Sequence, residues 1–227
     1  MENITIKDIV EACSGQLLCG DENKVIKEFS IDSRSGSEDS IFVPIIGERV
    51  DAHKFIDGAL KINGATFTSE HDEPLEGFEN KPWIKVADTV EAMQKVGTFY
   101  RNRMNLPVVA VTGSVGKTST KEVIASVLNQ KYHTLKTQGN FNNELGLPLT
   151  VFRLRDGDEI AVLEMGISDF GEMTRLAQIA RPDTCVITNI GTCHLENLGD
   201  RNGVLKAKTE IFKFLRDRKS TRLNSSH

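Results

Sequence analysis

Long apolar runs are missing from this 227-residue sequence. No stretch approaches the ~18 to 20 apolar residues that a membrane-spanning helix needs. The N-terminus, MENITIKDIVEACSG, has acidic residues and lacks the apolar core of a signal peptide. We therefore expect a cytoplasmic protein that does not contact a membrane.

Cysteine pairs and excess charge are also missing. The four cysteines form no CxxC pair, which argues against a zinc ribbon or a disulfide framework and favours small buried side chains. The formal net charge of -4 argues against a nucleic-acid partner, because such a protein needs a basic face. The composition, with 39% hydrophobic and 26% charged residues, is typical of a globular protein. The length suggests one large domain or two small ones.

The chain changes character near residues 104–107. Residues 1–104 mix short helical and strand-like pieces, including a helix with Asp88 as its N-cap. Residues 105–215 contain three β-branched runs, PVVAVTGS, EIAVLEMG and TCVITNIG, which alternate with helical patterns. This alternation predicts a parallel sheet covered by helices. We predict an α/β protein, with a small α/β domain over 1–104 and an incomplete P-loop parallel-sheet domain over 105–215.

The last residues, 216–227, differ from both predicted domains. RDRKSTRLNSSH is polar and basic and has no amphipathic pattern. We interpret it as a translated vector or sequencing-adapter segment joined to a truncated reading frame, or as a native disordered terminus.

VVAVTGSVGKTST joins a strand, a glycine turn and the start of a helix. Gly113 and Gly116 allow backbone N–H groups to turn toward phosphate oxygens, and the helix N-terminus adds its positive end. Lys117 is expected to reach the β- and γ-phosphates, and the Thr118 hydroxyl to bind Mg²⁺. The usual GxxxxGK[ST] spacing is not met, because Val111 stands at the first glycine position. A purely structural turn is the alternative. Apolar residues of the following helix are predicted to share one face: Val123, Ile124, Val127 and Leu128.

Two candidate ligands follow strands at the same predicted sheet edge. Glu164 ends EIAVLEMG and is placed to hold Mg²⁺ directly or through water, unless it is a solvated or capping carboxylate. His194 follows TCVITNIG and is a candidate for a metal or phosphate contact, with a structural role as the alternative.

A helix lysine and an asparagine-rich loop are less specific. From its chemistry alone, Lys208 is expected to be a solvated charge. The segment TQGNFNNELGLPLT offers Asn142 and Asn143 to a polar ligand, or as caps of a helix.

Four segments together resemble the Mur ligase family: VTGSVGKTSTKE, TQGNFNNELGLPLT, VLEMGISDFGEM and ITNIGTCHLENLGDRNGVLKAKTEIF. FSIDSRSGSEDSIFVPIIGERVDAHKFIDGA is similar to that family's UDP-substrate domain. The resemblance covers residues 1–215. It implies the first domain and part of the second domain of a three-domain enzyme.

The asparagine-rich segment favours the family member that joins D-alanyl-D-alanine to UDP-N-acetylmuramoyl-tripeptide. The resemblance therefore implies ATP-dependent ligation through an acyl phosphate in peptidoglycan precursor synthesis, with ATP and Mg²⁺ as cofactors. We also expect a monomer. The open alternatives are a nucleotide- or UDP-binding fragment without ligase activity, a sister Mur ligase, and an unrelated phosphate-loop ATPase.

The resemblance assigns roles to individual residues. Lys117 would bind the ATP phosphates, Thr118 and Glu164 would hold one Mg²⁺, and His194 would hold a second. Lys208 matches a lysine that the family carries as a carbamate, an anion that can serve a metal site. The implied nucleotide contacts are Gly113, Ser114, Gly116, Lys117, Thr118, Ser119, Asn142 and Asn143. The implied UDP contacts are Ser33 and Arg34 of the DSR motif and Gly47.

Three positions depart from the family pattern: Ala52, Val115 and Cys193. None of them removes a proposed ligand. Val115 removes one side-chain hydrogen-bonding option beside the phosphates.

Overall fold

The computed structural model describes residues 1–216, which form two compact units. The N-terminal unit consists of Met1–Met104 together with Val151–Asp156. The C-terminal unit consists of Asn105–Thr150 and the residues from Gly157 onward. Apart from Arg216, the tail interpreted above as non-native or disordered lies outside the described residues.

The N-terminal unit is a five-stranded sheet with helices. Its strands are β1 (Gln16–Cys19), β2 (Glu28–Ser30), β3 (Ser40–Phe42), β4 (Ala65–Thr68) and β5 (Trp83–Lys85), in the order β1-β5-β4-β3-β2. All neighbours are parallel except β1 and β5. Its helices are α1 (Ile6–Cys13), a 3₁₀ turn (Ala52–Phe55), α2 (Ile56–Leu60) and α3 (Thr89–Arg103).

Local signals explain where these helices begin. The Thr5 hydroxyl accepts the backbone N–H of Asp8, and the Asp8 carboxylate accepts the backbone N–H of Thr5, so a capping box starts α1. Asp88 accepts the N–H of Glu91 and caps α3, as the sequence predicted. The core between α2 and the sheet contains buried Phe42, Ile56, Ala59, Leu60 and Trp83.

The C-terminal unit is a parallel sheet with helices. Its strands are β6 (Val108–Thr112), β7 (Thr134–Lys136), β8 (Ile160–Glu164) and β9 (Thr184–Ile187), in the order β7-β8-β6-β9. Its helices are α4 (Lys117–Leu128), α5 (Gly146–Val151), α6 (Glu172–Ala180), α7 (Leu195–Leu198), α8 (Arg201–Thr209) and a 3₁₀ turn (Glu210–Phe214).

The predicted α/β class is confirmed, and the three β-branched runs form β6, β8 and β9. The short strand β7 was not predicted. Its sequence, TLK, has one buried side chain, so it carries almost no hydrophobic signal.

The predicted apolar face of α4 is wrong in part. Ile124 and Leu128 pack against the core formed by Val111, Ala125 and Val162. Val123 and Val127 point away from it and are 64% and 67% exposed. Residues at i, i+1, i+4 and i+5 cover too wide an arc for all four to face one sheet.

No helix in the described part of the chain is long and apolar enough to cross a membrane.

Candidate active site

The turn between β6 and α4 has the geometry of a phosphate-binding loop. Gly113 has φ 145° and Gly116 has φ 81°, values that side-chain-bearing residues rarely adopt. Lys117 begins α4, and its Nζ donates to the Gly113 carbonyl at 2.9 Å, which folds the lysine back over the turn. The N-terminus of α4 and the Lys117 cation therefore lie at the same turn, an arrangement that suits an anion.

The residues after β9 hold this turn in place. The Asn189 side-chain oxygen accepts the N–H groups of Ser114 and Val115, at 3.1 and 3.0 Å. The Thr188 hydroxyl donates to the Val115 carbonyl at 2.6 Å. The Ser114 hydroxyl accepts the N–H of Gly191 at 2.8 Å. Sequence reasoning missed Asn189, although Asn189 and His194 both follow β9.

Glu164 ends β8 beside the turn and is 1% exposed. Its Oε1 accepts from the Thr118 hydroxyl at 3.2 Å and from the Asn142 amide at 2.8 Å. The alternative of a solvated carboxylate is therefore wrong. The Glu164 backbone N–H donates to the Thr137 hydroxyl, which fixes the end of β8 to the residue that follows β7.

Lys121, one helical turn after Lys117, is a buried cation that sequence reasoning missed. It is 1% exposed, and its Nζ lies 3.7 Å from Glu164 Oε2. The same Nζ donates to the Thr137 carbonyl at 2.9 Å. The signal was its i+4 spacing from Lys117, which places both lysines on one face of α4.

The Glu164 region fits a hard divalent cation. Two buried side-chain oxygens among the described residues lack a hydrogen-bond partner: Thr112 Oγ1 and Glu164 Oε2. They belong to neighbouring strands, whose register pairs Val111 with Glu164. Within residues 1–216 there is no group of three His, Cys, Asp or Glu side chains that could enclose a metal ion. One carboxylate and a hydroxyl are typical of a Mg²⁺ that keeps its waters and is held mainly by phosphates.

A cavity of about 510 Å³ opens beside the turn. Lys117 and His194 line it, and so do Asn142 and Asn143. Glu144 and Glu172, which were not predicted, also line it. Thr118, Glu164 and Lys208 do not line this cavity. Asn142 connects it to the Glu164 carboxylate through its amide.

His194 is partly exposed and lies in an unusual backbone conformation. It has φ 54° and precedes α7. Its side chain is 41% exposed, and its Nδ1 lies 3.8 Å from Glu196 Oε1. The ring lines the cavity with much of its side chain exposed, so it is accessible to a ligand.

Lys208 is buried, so the expectation of a solvated helix lysine is wrong. It is 1% exposed on α8. Burial lowers its pKa, the nearby Lys117 charge lowers it further, and Cys193 acts in the opposite direction. The net direction is a pKa of the Lys208 ammonium below its ordinary value.

The two candidate asparagines have different roles. Asn142 contacts Glu164. The Asn143 side-chain oxygen accepts the N–H groups of Leu145 and Gly146, at 3.2 and 2.8 Å, and so caps the start of α5. The capping alternative therefore holds for Asn143. Ser119, another predicted nucleotide contact, lies exposed in the first turn of α4.

The predicted UDP contacts lie in the N-terminal unit. Arg34 folds back on Asp32, with Nε to Oδ1 and Nη2 to Oδ2 both at 2.9 Å. This contact holds the pKa of the Asp32 carboxyl down at about 2. Ser33 is half-buried in the same turn.

Gly47 lies in an exposed loop, where its N–H donates to the Val50 carbonyl. The loop leads into the 3₁₀ turn held by the buried His53. His53 Nδ1 lies 2.7 Å from Asp51 Oδ1, and its Nε2 accepts the N–H of Ser69 at 3.0 Å. His53 therefore anchors the end of this loop to the residue that follows β4.

Comparison with known proteins shows that part of the chain matches a family model and that named ligases are similar to it. Residues 111–226 match the Mur ligase middle domain. The UDP-N-acetylmuramoyl-tripeptide–D-alanyl-D-alanine ligase of Bacillus subtilis (strain 168) is 42% identical over 214 residues, covering 94% of this chain and 47% of the relative. The ligase of the same name from Escherichia coli (strain K12) is 36% identical over 213 residues, covering 93% of this chain and 46% of the relative.

Solved structures agree with these relatives. MurF from Acinetobacter baumannii superimposes with a TM-score of 0.85 at 34% identity, over 93% of this chain and 46% of that one. MurF ligase from Thermotoga maritima, solved in complex with ADP, gives a TM-score of 0.75 at 36% identity, over 83% of this chain and 43% of that one. The chain thus spans about half the length of the relatives that it matches.

Proposed function

Because the chain belongs to the Mur ligase family, we propose that it carries the nucleotide-binding part of a ligase that joins D-alanyl-D-alanine to UDP-N-acetylmuramoyl-tripeptide at the expense of ATP. We place this reaction in the cytoplasm and infer Mg²⁺ as the accompanying cation. The observation that carries the proposal is the convergence of Thr118 and Asn142 on Glu164 beside Lys117. A phosphate-loop lysine next to a cation site is what phosphoryl transfer requires.

The residues of the turn take defined roles in this proposal. Lys117 exchanges its bond with the Gly113 carbonyl for the β- and γ-phosphates of ATP. The Thr118 hydroxyl and Glu164 would hold Mg²⁺, which would neutralise charge on the phosphate oxygens. His194, which lines the cavity, would hold the second Mg²⁺.

Lys208 is proposed to carry a carbamate. Burial lowers the pKa of its ammonium group, which makes the loss of a proton easier, and the neutral amine is the form that attacks carbon dioxide. A new bond joins Nζ to the carbon of carbon dioxide, one C–O π bond breaks with its electron pair moving to oxygen, and one proton leaves the nitrogen to solvent. The product is an anion near Lys117, whose positive charge stabilises it.

The reaction proceeds in two steps. The free carboxylate of the muramoyl tripeptide attacks the γ-phosphorus of ATP, the bond to the β-phosphate oxygen breaks, and an acyl phosphate and ADP form. The amine of D-alanyl-D-alanine then attacks the acyl carbon, loses a proton and expels inorganic phosphate. This chain's residues position the nucleotide and offset the charge of crowded oxygens.

The N-terminal unit is proposed to bind the UDP group. Arg34 is exposed and pairs with Asp32 of its own turn, so it is able to exchange the Asp32 carboxylate for a diphosphate oxygen. The Ser33 hydroxyl and the Gly47 loop would complete this contact.

Nucleotide binding to the chain as it stands provides the first test. We expect titration calorimetry with Mg²⁺ and a non-hydrolysable ATP analogue to detect binding. Lys117→Met should weaken it about ten- to a hundredfold, because a charge-assisted hydrogen bond contributes ~1.5–3 kcal/mol. Lys131→Met, an exposed lysine beyond α4, is the matched control and should bind like the wild type. Equal affinity in the wild type and Lys117→Met would refute the phosphate-loop assignment.

Substrate choice requires the complete reading frame that contains this sequence. Phosphate release should depend on both UDP-N-acetylmuramoyl-tripeptide and D-alanyl-D-alanine. Turnover with other amino acids but not with D-alanyl-D-alanine would indicate a sister Mur ligase instead.

The coverage of about half of each relative favours a second candidate for this chain alone, a nucleotide-binding fragment without turnover. Phosphate release by the isolated chain at the rate of the complete enzyme would exclude it.

A further inference from the structure

Lys121 is a cation in a place where a cation is costly. It is 1% exposed, and transfer of an ammonium group out of water is unfavourable unless the group is paired and hydrogen-bonded. Its Nζ donates to the Thr137 carbonyl at 2.9 Å and lies 3.1 Å from Glu122 Oε1. Thr137 and Glu122 therefore each provide a partner for the Lys121 ammonium group, in addition to Glu164.

The contact of Lys121 with Glu164 is of a different kind. The 3.7 Å between Nζ and Oε2 is longer than a hydrogen bond, so the attraction is one of charge. Oε2 has no hydrogen-bond donor among the described residues and keeps its lone pairs free. Lys121 thus balances the carboxylate without occupying the oxygen that a cation would use.

Thr137 connects the two side chains. Its carbonyl accepts from Lys121, and its hydroxyl accepts the backbone N–H of Glu164. On the opposite side, Thr118 and Asn142 hold Oε1. The carboxylate is therefore fixed from both sides.

The local charge has a consequence for metal binding. Glu164 faces the Lys121 ammonium, and the half-exposed Glu122 pairs with both Lys121 and Lys136. Lys117 adds a further positive charge at the turn, so two carboxylates stand against three ammonium groups. The protein offers no surplus of negative charge to a free divalent cation. The negative charge must come from the phosphates of a nucleotide.

We infer that Lys121 is a positioning residue, which keeps the buried Glu164 carboxylate in place and prevents a divalent cation from binding there before the nucleotide. This inference rests on the proposed function, because it assumes a cation shared between Glu164 and nucleotide phosphates.

Binding of Mn²⁺ followed by electron paramagnetic resonance tests the inference on the full chain. The wild type should bind Mn²⁺ alone weakly, and Mn²⁺ together with a non-hydrolysable ATP analogue at least tenfold more tightly. Lys121→Met removes the charge and keeps the length, so it should bind Mn²⁺ alone at least tenfold more tightly than the wild type. Lys121→Arg keeps the charge and should behave like the wild type, and so should Lys131→Met.

A neutral variant with a hydrogen-bond donor covers the case in which Lys121→Met does not fold. Lys121→Gln retains an amide that can donate to Thr137, and its thermal unfolding should show a folded protein with the same gain in Mn²⁺ affinity. Folded neutral variants that bind Mn²⁺ alone no more tightly than the wild type would overturn the inference. Failure of the proposed function has another signature, since the wild type would then show no Mn²⁺-dependent nucleotide binding at all.

Discussion

The side-chain oxygen of Asn189 accepts the backbone N–H of Ser114 at 3.1 Å, across 75 positions of the sequence. The same oxygen accepts the N–H of Val115 at 3.0 Å. A residue after β9 therefore shapes the phosphate loop that follows β6.

Replacement of Asn189 should weaken nucleotide binding. Asn189→Ala removes two hydrogen bonds of ~1 kcal/mol each, and we expect roughly a three- to tenfold loss of affinity for the Mg²⁺-bound ATP analogue by calorimetry. Asn189→Asp keeps the acceptor but adds a negative charge beside the phosphates, so its loss should be larger. Asn129→Ala, at the exposed end of α4, is the control. An Asn189→Asp variant with wild-type affinity would contradict this role.

Gly113 and Gly157 form a matched pair for testing the turn. A methyl group on Gly113 would overlap the Thr188 hydroxyl, and its φ of 145° is unfavourable for alanine. We expect Gly113→Ala to destabilise the chain by at least ~2 kcal/mol in urea unfolding. Gly157 has open space around its Cβ position, so Gly157→Ala should change stability by less than ~1 kcal/mol. Similar losses of stability in both variants would show that the close approach of Thr188 to Gly113 does not limit the residue at position 113.

The Asp32–Arg34 contact makes a prediction about pH. The pKa of Asp32 is about 2 in the folded chain, below its ordinary value of 3.8, chiefly because the Arg34 side chain donates to the carboxylate. Since the folded-state pKa is the lower one, the stabilisation is present above about pH 4 and is lost as the pH falls toward 2. Carboxyl NMR titration of Arg34→Ala should show the Asp32 pKa rising toward 3.8. Arg49→Ala, also exposed in this unit, should leave it near 2.

The N-cap of α8 supports the helix that carries Lys208. Asp200 Oδ1 accepts the N–H of Gly203 at 2.8 Å. Asp200→Ala should cost ~1 kcal/mol in the free energy of unfolding, whereas Asp200→Asn should retain most of the cap. Urea unfolding of both variants measures the difference. An equal loss in the two variants would mean that the charge of Asp200, and not its capping bond, is what stabilises α8.

The sequence predicted the features that depend on local pattern. Gly113, Lys117 and Thr118 were recognisable because their spacing identifies the turn, and Asp88 because a cap acts within three residues. Glu164 was recognised from its place at the end of a strand, since parallel strands present their carboxyl ends at one edge.

Some of the features that sequence reasoning missed depend on packing between distant segments. Lys208 lies at helical spacing from the buried Val204 and Ile211, a local signal that its charge outweighed. The burial of Lys121 depends on its contacts with Thr137 and Glu164. Val123 is exposed because the four apolar positions of α4 cover too wide an arc for all of them to face the sheet.

The close approach of Thr188 to Gly113 also bears on the order in which parts of the chain fold. The residues of the phosphate loop lie within about a dozen positions of the sequence. The loop acquires its shape from Thr188 and Asn189, which reach it only when β9 has joined the sheet. Closing such a distant contact costs chain entropy, so we expect the nucleotide site to mature late in folding, after β6, β8 and β9 have paired. Nucleotide affinity is therefore also a measure of how much of this sheet a given chain has completed.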